Sequence, residues 1–179
     1  MAGVYLRALE LSDLDTTHKW HNDKNLYQSL TGTYHYVSRY TEEQWLKEMV
    51  VSKDDELNLA ICIEETDEHI GNVYARNIDY KVGHAIIHLF IGDKSQRSLG
   101  YGFLALNILR DLMMNDTRLN KIYFHVLADN EHVINLSQKF GCVIEGTLRQ
   151  HVFKDGEYKD VVILAFYRDT PPIPPITSE

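Results

Sequence analysis

Cysteine is scarce in this chain of 179 residues, with only Cys62 and Cys142. Two thiols make no disulfide framework, and both read as reduced groups in a cytoplasmic protein. Basic residues are outnumbered, 18 Lys and Arg against 26 Asp and Glu, which gives a net charge of −8 with neutral histidines. A general polyanion binder carries the opposite sign, so nucleic acid is not the expected partner, although a small phosphate ligand is compatible. No window approaches the ~20 apolar residues of a membrane span. The charged segment Met1–Leu14 also lacks the apolar stretch of a signal peptide. All four prolines fall within 170–179, which reads as a frayed tail. No internal repeat is visible. The remaining composition, 44% hydrophobic and 25% charged, is that of one soluble domain, expected over residues 1–169.

Hydrophobic periodicity predicts the order β-α-α-β-β-β-α-β-α-β-β. Val4–Leu9 reads as a strand, and Ser12 with Asp15 as the capping pair of a first helix that runs to about Trp20. Asn25 to Tyr40 has no clean period and reads as a long surface segment of the kind that carries function. Thr41, with Gln44, is the expected cap of the next helix. Leu57–Ile63, Ile70–Ile78 and His84–Ile91 read as strands. In the last of these, alternation puts His84, Ile86, His88 and Phe90 on one face and Ala85, Ile87, Leu89 and Ile91 on the other. A glycine-bearing loop, Asp93 to Gly102, then leads into a helix to about Asn115, with Leu104, Ile108, Leu109 and Leu112 as its expected core stripe. Lys121–Leu127 reads as a strand, and Asn130–Phe140 as a helix ended by Gly141, with Val133, Leu136 and Phe140 buried. Cys142–Arg149 and Tyr158–Tyr167 close the chain as two strands, with a turn at Lys154-Asp155-Gly156. The expected fold is a mixed α/β domain with an antiparallel first part, not a doubly wound sheet.

Arg97-Ser98-Leu99-Gly100-Tyr101-Gly102 lies between a strand and a helix. Glycines there let backbone N–H groups approach an anion, and the helix N-terminus adds its positive end, an arrangement suited to a pyrophosphate. It is neither a Walker loop nor a G-x-G-x-x-G fingerprint, and so short a pattern assigns no function alone. Its surroundings add to it: Leu89-Phe90-Ile91-Gly92-Asp93-Lys94 before the loop, Asn120-Lys121-Ile122-Tyr123 and Ala128-Asp129-Asn130-Glu131 after its helix, then Lys139-Phe140-Gly141, Glu145-Gly146-Thr147-Leu148-Arg149 and Asp155-Gly156-x-Tyr158-x-Asp160. With Leu6-Arg7-Ala8-Leu9 and Trp20-His21-Asn22-Asp23 near the start, nearly the whole chain resembles the GNAT superfamily of acetyl-CoA-dependent N-acetyltransferases. Within it, the chain looks most like the branch that includes the ribosomal-protein N-terminal acetyltransferases.

The resemblance implies a mostly antiparallel central sheet flanked by helices, with two central strands splayed apart. It implies acetyl-CoA as co-substrate, its pyrophosphate on the backbone N–H groups of Ser98, Leu99, Gly100, Tyr101 and Gly102, with Arg97 opening the motif. Leu89, Phe90 and Ile91 would pair with the pantetheine amides, and Asn130, which also reads as a helix N-cap, would contact the same arm. No metal is implied.

Acetyl transfer to an amine requires a neutral amine, a polarised carbonyl, a destination for the amine proton and a leaving thiolate. Direct attack needs no nucleophilic side chain. Many relatives carry an acidic residue where this chain has Ile86; two positions on stands His88, on the same face, with an ordinary histidine pKa of about 6.5. His88 is the candidate base or proton relay, with His84 behind it. Relatives often have a tyrosine as thiolate acid where this chain has Ser137, a candidate thiol contact. Trp20, Tyr34 and Tyr36, together with His21, Asn22, Asp23, His35 and Arg39, are candidate acceptor contacts. The expected acceptor is a small-molecule primary amine, of amino-sugar or polyamine type, ahead of a peptide N-terminus; a silent acyl-CoA-binding domain is the alternative from another class. A homodimer is a further expectation.

Overall fold

Alternation between two apolar faces is what the strands have in common, and it generates the layers. The computed structural model describes residues 3–169; the tail 170–179, expected to be frayed, lies outside the described residues. Seven strands form one sheet: β1 (Val4–Ala8), β2 (Leu57–Ile63), β3 (His69–Asp79), β4 (His84–Ile91), β5 (Lys121–Leu127), β6 (Val143–Lys154) and β7 (Glu157–Tyr167), in the order β1-β2-β3-β4-β5-β7-β6. The helices are α1 (Leu14–His21), α2 (Lys24–Gln28), α3 (Arg39–Met49), α4 (Tyr101–Asn115) and α5 (Glu131–Lys139). Ile61, Val73, Ala85 and Ile87 pack with Ala105, Leu109 and Met113 of α4 and Val133 of α5. Ala60, Cys62, Tyr74 and Phe90 face the other way, toward Leu14 of α1 and Trp45, Leu46 and Met49 of α3. No helix among the described residues is long and apolar enough to cross a membrane.

All strand pairs are antiparallel except β4 with β5, which run parallel. That pair has three matched positions, His84↔Lys121, Ala85↔Ile122 and Ile86↔Tyr123. Beyond Ile86 the strands part: β4 keeps β3 on one side and β5 keeps β7, and the facing edges have no strand between them. The last hairpin turns through Asp155 and Gly156, at φ of 50° and 88°, between the paired Lys154 and Glu157. Two consecutive left-handed residues in a two-residue loop match the right-handed twist of the flanking strands, and Asp-Gly is the dipeptide that tolerates them.

Several local expectations shift. The first helical segment begins as a short 3₁₀ turn, Leu11–Asp13, capped reciprocally by Glu10 and Asp13 rather than Ser12 and Asp15. Ser38, not Thr41, caps α3, its hydroxyl accepting from Thr41 N–H at 3.1 Å. The segment 25–40 contains most of α2, held by an Asp23 cap. Helix α4 buries Ala105, Leu106, Leu109 and Met113, whereas Ile108 and Leu112 are exposed. Apolar residues on more than one side of α4 misdirected the expected stripe of Leu104, Ile108, Leu109 and Leu112, of which only Leu109 is fully buried. Gly102 fixes the rotation: a Cβ there would stand 3.2 Å from Leu89 Cδ2, so position 102 faces the sheet and 105, 106, 109 and 113 follow.

Trp20 is 3% exposed, its indole edge-on to His69 and Phe90 with ring centroids 4.8 and 5.9 Å away. It lies directly on Gly92, where a Cβ would stand 2.1 Å from the indole. A rigid ring held between two others cannot swing aside. Gly92→Ala should therefore cost about 1–3 kcal/mol, the usual penalty of overpacking, read as a lower denaturation midpoint at constant slope. An unchanged midpoint would mean that the Trp20 layer is loosely packed.

Candidate active site

The parting of β4 from β5 opens a cleft of about 640 Å³. Its walls come from both sides of the sheet. From the α4/α5 side come Ser98, Gly100, Gly102, Phe103, Asn130, Val133 and Ser137; from the α1/α3 side come His21, Tyr27, Gly32, Tyr74, His88, Phe90 and His125. Val133 and Leu136 are only half-buried because they wall this space, while Phe140 stacks on Phe103 with centroids 4.4 Å apart.

At the α4 end, Ser98 and Gly100 take φ of 62° and 85°, which turns the chain sharply into the helix. Gly100 is the N-cap and offers no side chain to the first turn. Among the described residues, no group accepts a hydrogen bond from the N–H groups of Ser98 to Gly102. A run of free N–H groups at a helix start, open to a cleft, is an anion cradle. Leu99 is exposed and Tyr101 buried; of these two only the backbone suits such a role. Arg97 is engaged elsewhere. Its Nε donates to Ile91 O at 2.9 Å, and one terminal nitrogen donates to Gly92 O at 2.7 Å and pairs with Asp23 at 3.3 Å. It brackets the end of β4 to the start of α2, and the Ile91 carbonyl is thereby occupied. Leu89, Phe90 and Ile91 line the cleft along the unpaired edge of β4.

Asn130 caps α5, its side chain accepting from Val133 N–H at 3.3 Å, and also lines the cleft. Ser137 is fully buried, and its hydroxyl donates to Val133 O at 2.6 Å. That leaves lone pairs, not a proton, for a sulfur in the cleft.

On the other side, His88 stands opposite Tyr74 on β3. Its pKa is lowered, first by the protein packed around the cleft floor, then by the charges of Arg76 and His125. A neutral ring at neutral pH is a proton acceptor. His125 is lowered as well, by burial and then by His151. His84 sits at the paired start of β4, against Tyr123, and does not line the cleft. Burial holds the Tyr74 phenol well above its ordinary pKa, against the opposing pull of Asn72 and Arg76 and with a smaller push from Glu42.

The proposed acceptor contacts divide. Trp20 belongs to the core and does not reach the cleft. Tyr34 lines a smaller hollow of about 180 Å³ with Tyr27, Phe153 and Lys154, and Tyr36, 88% exposed, packs edge-on against it. Asn22 is structural, bridging His18 O and Val37. Asp23 caps α2, and His35 and Arg39 are exposed. His21 does line the cleft. Tyr27, Tyr74 and His125 are cleft residues that the sequence did not single out. For His125 a signal existed, since it alternates with Tyr123 on one face of β5, but its value depends on knowing that β5 neighbours β4. Among the described residues, no three metal-ligating side chains cluster.

Residues 4–143 match the acetyltransferase (GNAT) domain model. A spermidine N(1)-acetyltransferase of Vibrio cholerae is 31% identical over 160 residues, covering 87% of this chain and 88% of that protein. The spermidine N(1)-acetyltransferase of Escherichia coli K12 is 24% identical over 172 residues, covering 92% and 86%. The crystal structure of a V. cholerae spermidine N-acetyltransferase in complex with CoA and spermine superposes with a TM-score of 0.85 at 25% identity, covering 93% of this chain and 96% of that one. These relatives are spermidine enzymes, where the motifs alone pointed toward the ribosomal-protein branch.

Proposed function

Because the chain belongs to the GNAT family of acetyl-CoA-dependent N-acetyltransferases, we propose that it transfers the acetyl group of acetyl-CoA to a primary amine of a polyamine. The observation that carries this reading is the single cleft that joins the free N–H run at 98–102 to an aromatic and imidazole wall through the gap between β4 and β5. The acetyl thioester supplies the activated carbonyl. The N–H groups of Ser98 to Gly102 hold its pyrophosphate, the free edge of β4 at Leu89 to Ile91 aligns its pantetheine arm, and Asn130 borders the same arm. Tyr27, Tyr74 and Phe90 give an apolar wall for methylene segments and ring faces that attract a cation. His88, neutral and open to the cleft, receives the proton that the nitrogen sheds as the new C–N bond forms, directly or through water. Ser137, buried and with its proton on Val133 O, borders the cleft as a small residue and gives the sulfur no proton. Spermidine enzymes among the relatives favour a polyamine over an amino sugar or a peptide N-terminus.

The test is thiol release with acetyl-CoA against spermidine, an amino sugar and a peptide with a free N-terminus, with product masses. Spermidine should be turned over fastest; turnover confined to the sugar or the peptide would overturn the acceptor assignment. Acetyl-CoA at a hundredfold excess over its dissociation constant should add about 2.7 kcal/mol of stability in thermal melts. Adenosine, which lacks the phosphates and the pantetheine arm, should add far less.

A further inference from the structure

The proposed reaction moves two protons, and His88 accounts for one. An alkylammonium must lose a proton before its nitrogen can attack. After the C–N bond forms, that nitrogen sheds a second proton, the C–S bond breaks, and the departing sulfur takes up one proton. The balance is ammonium plus thioester giving amide, free thiol and one proton.

At the end of α1, on the same side of the cleft as His88, stands a further imidazole with a built environment. His21 is the last residue of α1, lines the cleft, and lies edge-on against Trp45 with centroids 4.6 Å apart. Its Nδ1 is 2.6 Å from Oε2 of Glu42 in the first turn of α3. Glu42 is 0% exposed, and its Oε1 has no hydrogen-bond partner among the described residues. A sealed carboxylate with one oxygen unpaired is costly, and here its charge reaches the cleft. Tyr27 from α2 has its pKa raised by burial and then by Glu42, and Glu42 also contributes to raising Tyr74 from β3. With Nδ1 held by the carboxylate, Nε2 is the ring's remaining nitrogen; it has no hydrogen-bond partner among the described residues. By contrast, the Nε2 of His18 one turn earlier is bound to Val37 O at 2.9 Å.

We propose that His21, oriented through Nδ1 by Glu42, receives at Nε2 the first proton of the incoming ammonium and so delivers a neutral amine to the thioester. His21 is the catalytic residue and Glu42 its positioning residue, whose charge also balances the imidazolium that forms. The proton passes from the partly exposed His21 ring to solvent. This inference rests on the amine-acceptor reading above.

The experiment compares spermidine with a difluorinated spermidine whose reacting amine is mostly neutral at the assay pH. His21→Asn should lower kcat/KM for spermidine by about 10²-fold, the range of general acid–base catalysis. Glu42→Gln should lower it by a smaller factor. With the fluorinated acceptor, both variants should approach the wild-type rate, since the first proton is already gone, while His88→Ala should stay slow with both. Equal losses on both acceptors would assign His21 and Glu42 a merely structural role and overturn the inference, as would full activity of His21→Asn on spermidine. If Glu42→Gln fails to fold, His21→Asn decides alone. Wild-type protein inactive on spermidine would overturn the acceptor reading and this inference with it. A selective loss in the variants cannot arise from that failure, so the two are told apart.

Discussion

Replacing Gly100 with valine should reduce CoA affinity by about 10²-fold or more, the loss expected if one or two hydrogen bonds to a charged group disappear at about 1.5–3 kcal/mol each. Gly100 holds φ at 85°, where a β-branched residue is strongly disfavoured. To relieve that strain the backbone rotates, and the N–H groups around it lose their common direction. Gly100→Asn is the control, since asparagine tolerates the left-handed region, and it should keep most of the affinity. Calorimetric titration of folded protein with CoA reads both. An unaltered dissociation constant in the valine variant would detach the loop from the pyrophosphate. Gly102 is a poorer probe, because a side chain there meets Leu89 at 3.2 Å and disturbs packing before it disturbs binding.

His88→Ala should lower kcat by about 10²-fold with little change in CoA affinity, because the cofactor is expected to use the backbone of β4. The sign of the pH effect follows from the lowered pKa of this ring. His88 accepts a proton only when neutral, so the wild-type kcat should fall on the acid side through a pKa below about 6.5, the ordinary histidine value. The variant should lose the His88 component of that limb and keep only the acid dependence of deprotonating the ammonium. Raising the pH should narrow the gap between the two, as hydroxide and solvent take over. An alanine variant with wild-type kcat and an unmoved acid limb would leave solvent as the acceptor.

The alternation of β4 was legible because a period of two needs no partner to be read: Ala85 and Ile87 lie in one core, Phe90 in the other, and His88 at the cleft. The free N–H run was legible from Gly100 and Gly102 between a strand and a helix. Arg97 was not, because its bracket to Ile91, Gly92 and Asp23 depends on the chain returning across 74 residues. Trp20 was expected as an acceptor contact, because nothing local shows that Gly92 lies beneath its indole and seals it in the core. Glu42 had no signal of its own. An acidic residue in the first turn of a helix is ordinary on dipole grounds, and nothing local distinguishes one that solvent stabilises from one sealed behind a histidine.

The three matched positions between β4 and β5 make the middle of this sheet a seam. On one side, β1 to β4 form a continuous antiparallel unit; on the other, β5 to β7 form a second. Covalently they are joined through α4; hydrogen bonds also cross from Asn120 and Lys121 N–H to Gly83 O and from Lys154 Nζ to Tyr27 O and Gly32 O. The two units nevertheless share one apolar core, in which Ala85 and Ile87 cluster with Ile122, Val126, Leu164 and Phe166, so the seam is a gap in the hydrogen-bond ladder rather than a boundary between cores. A co-substrate that pairs its amides with the free edge of β4, as proposed above, would act as an interposed strand. Binding there would also complete the sheet, so the groups expected to align the thioester are the ones that would stiffen the gap between β4 and β5.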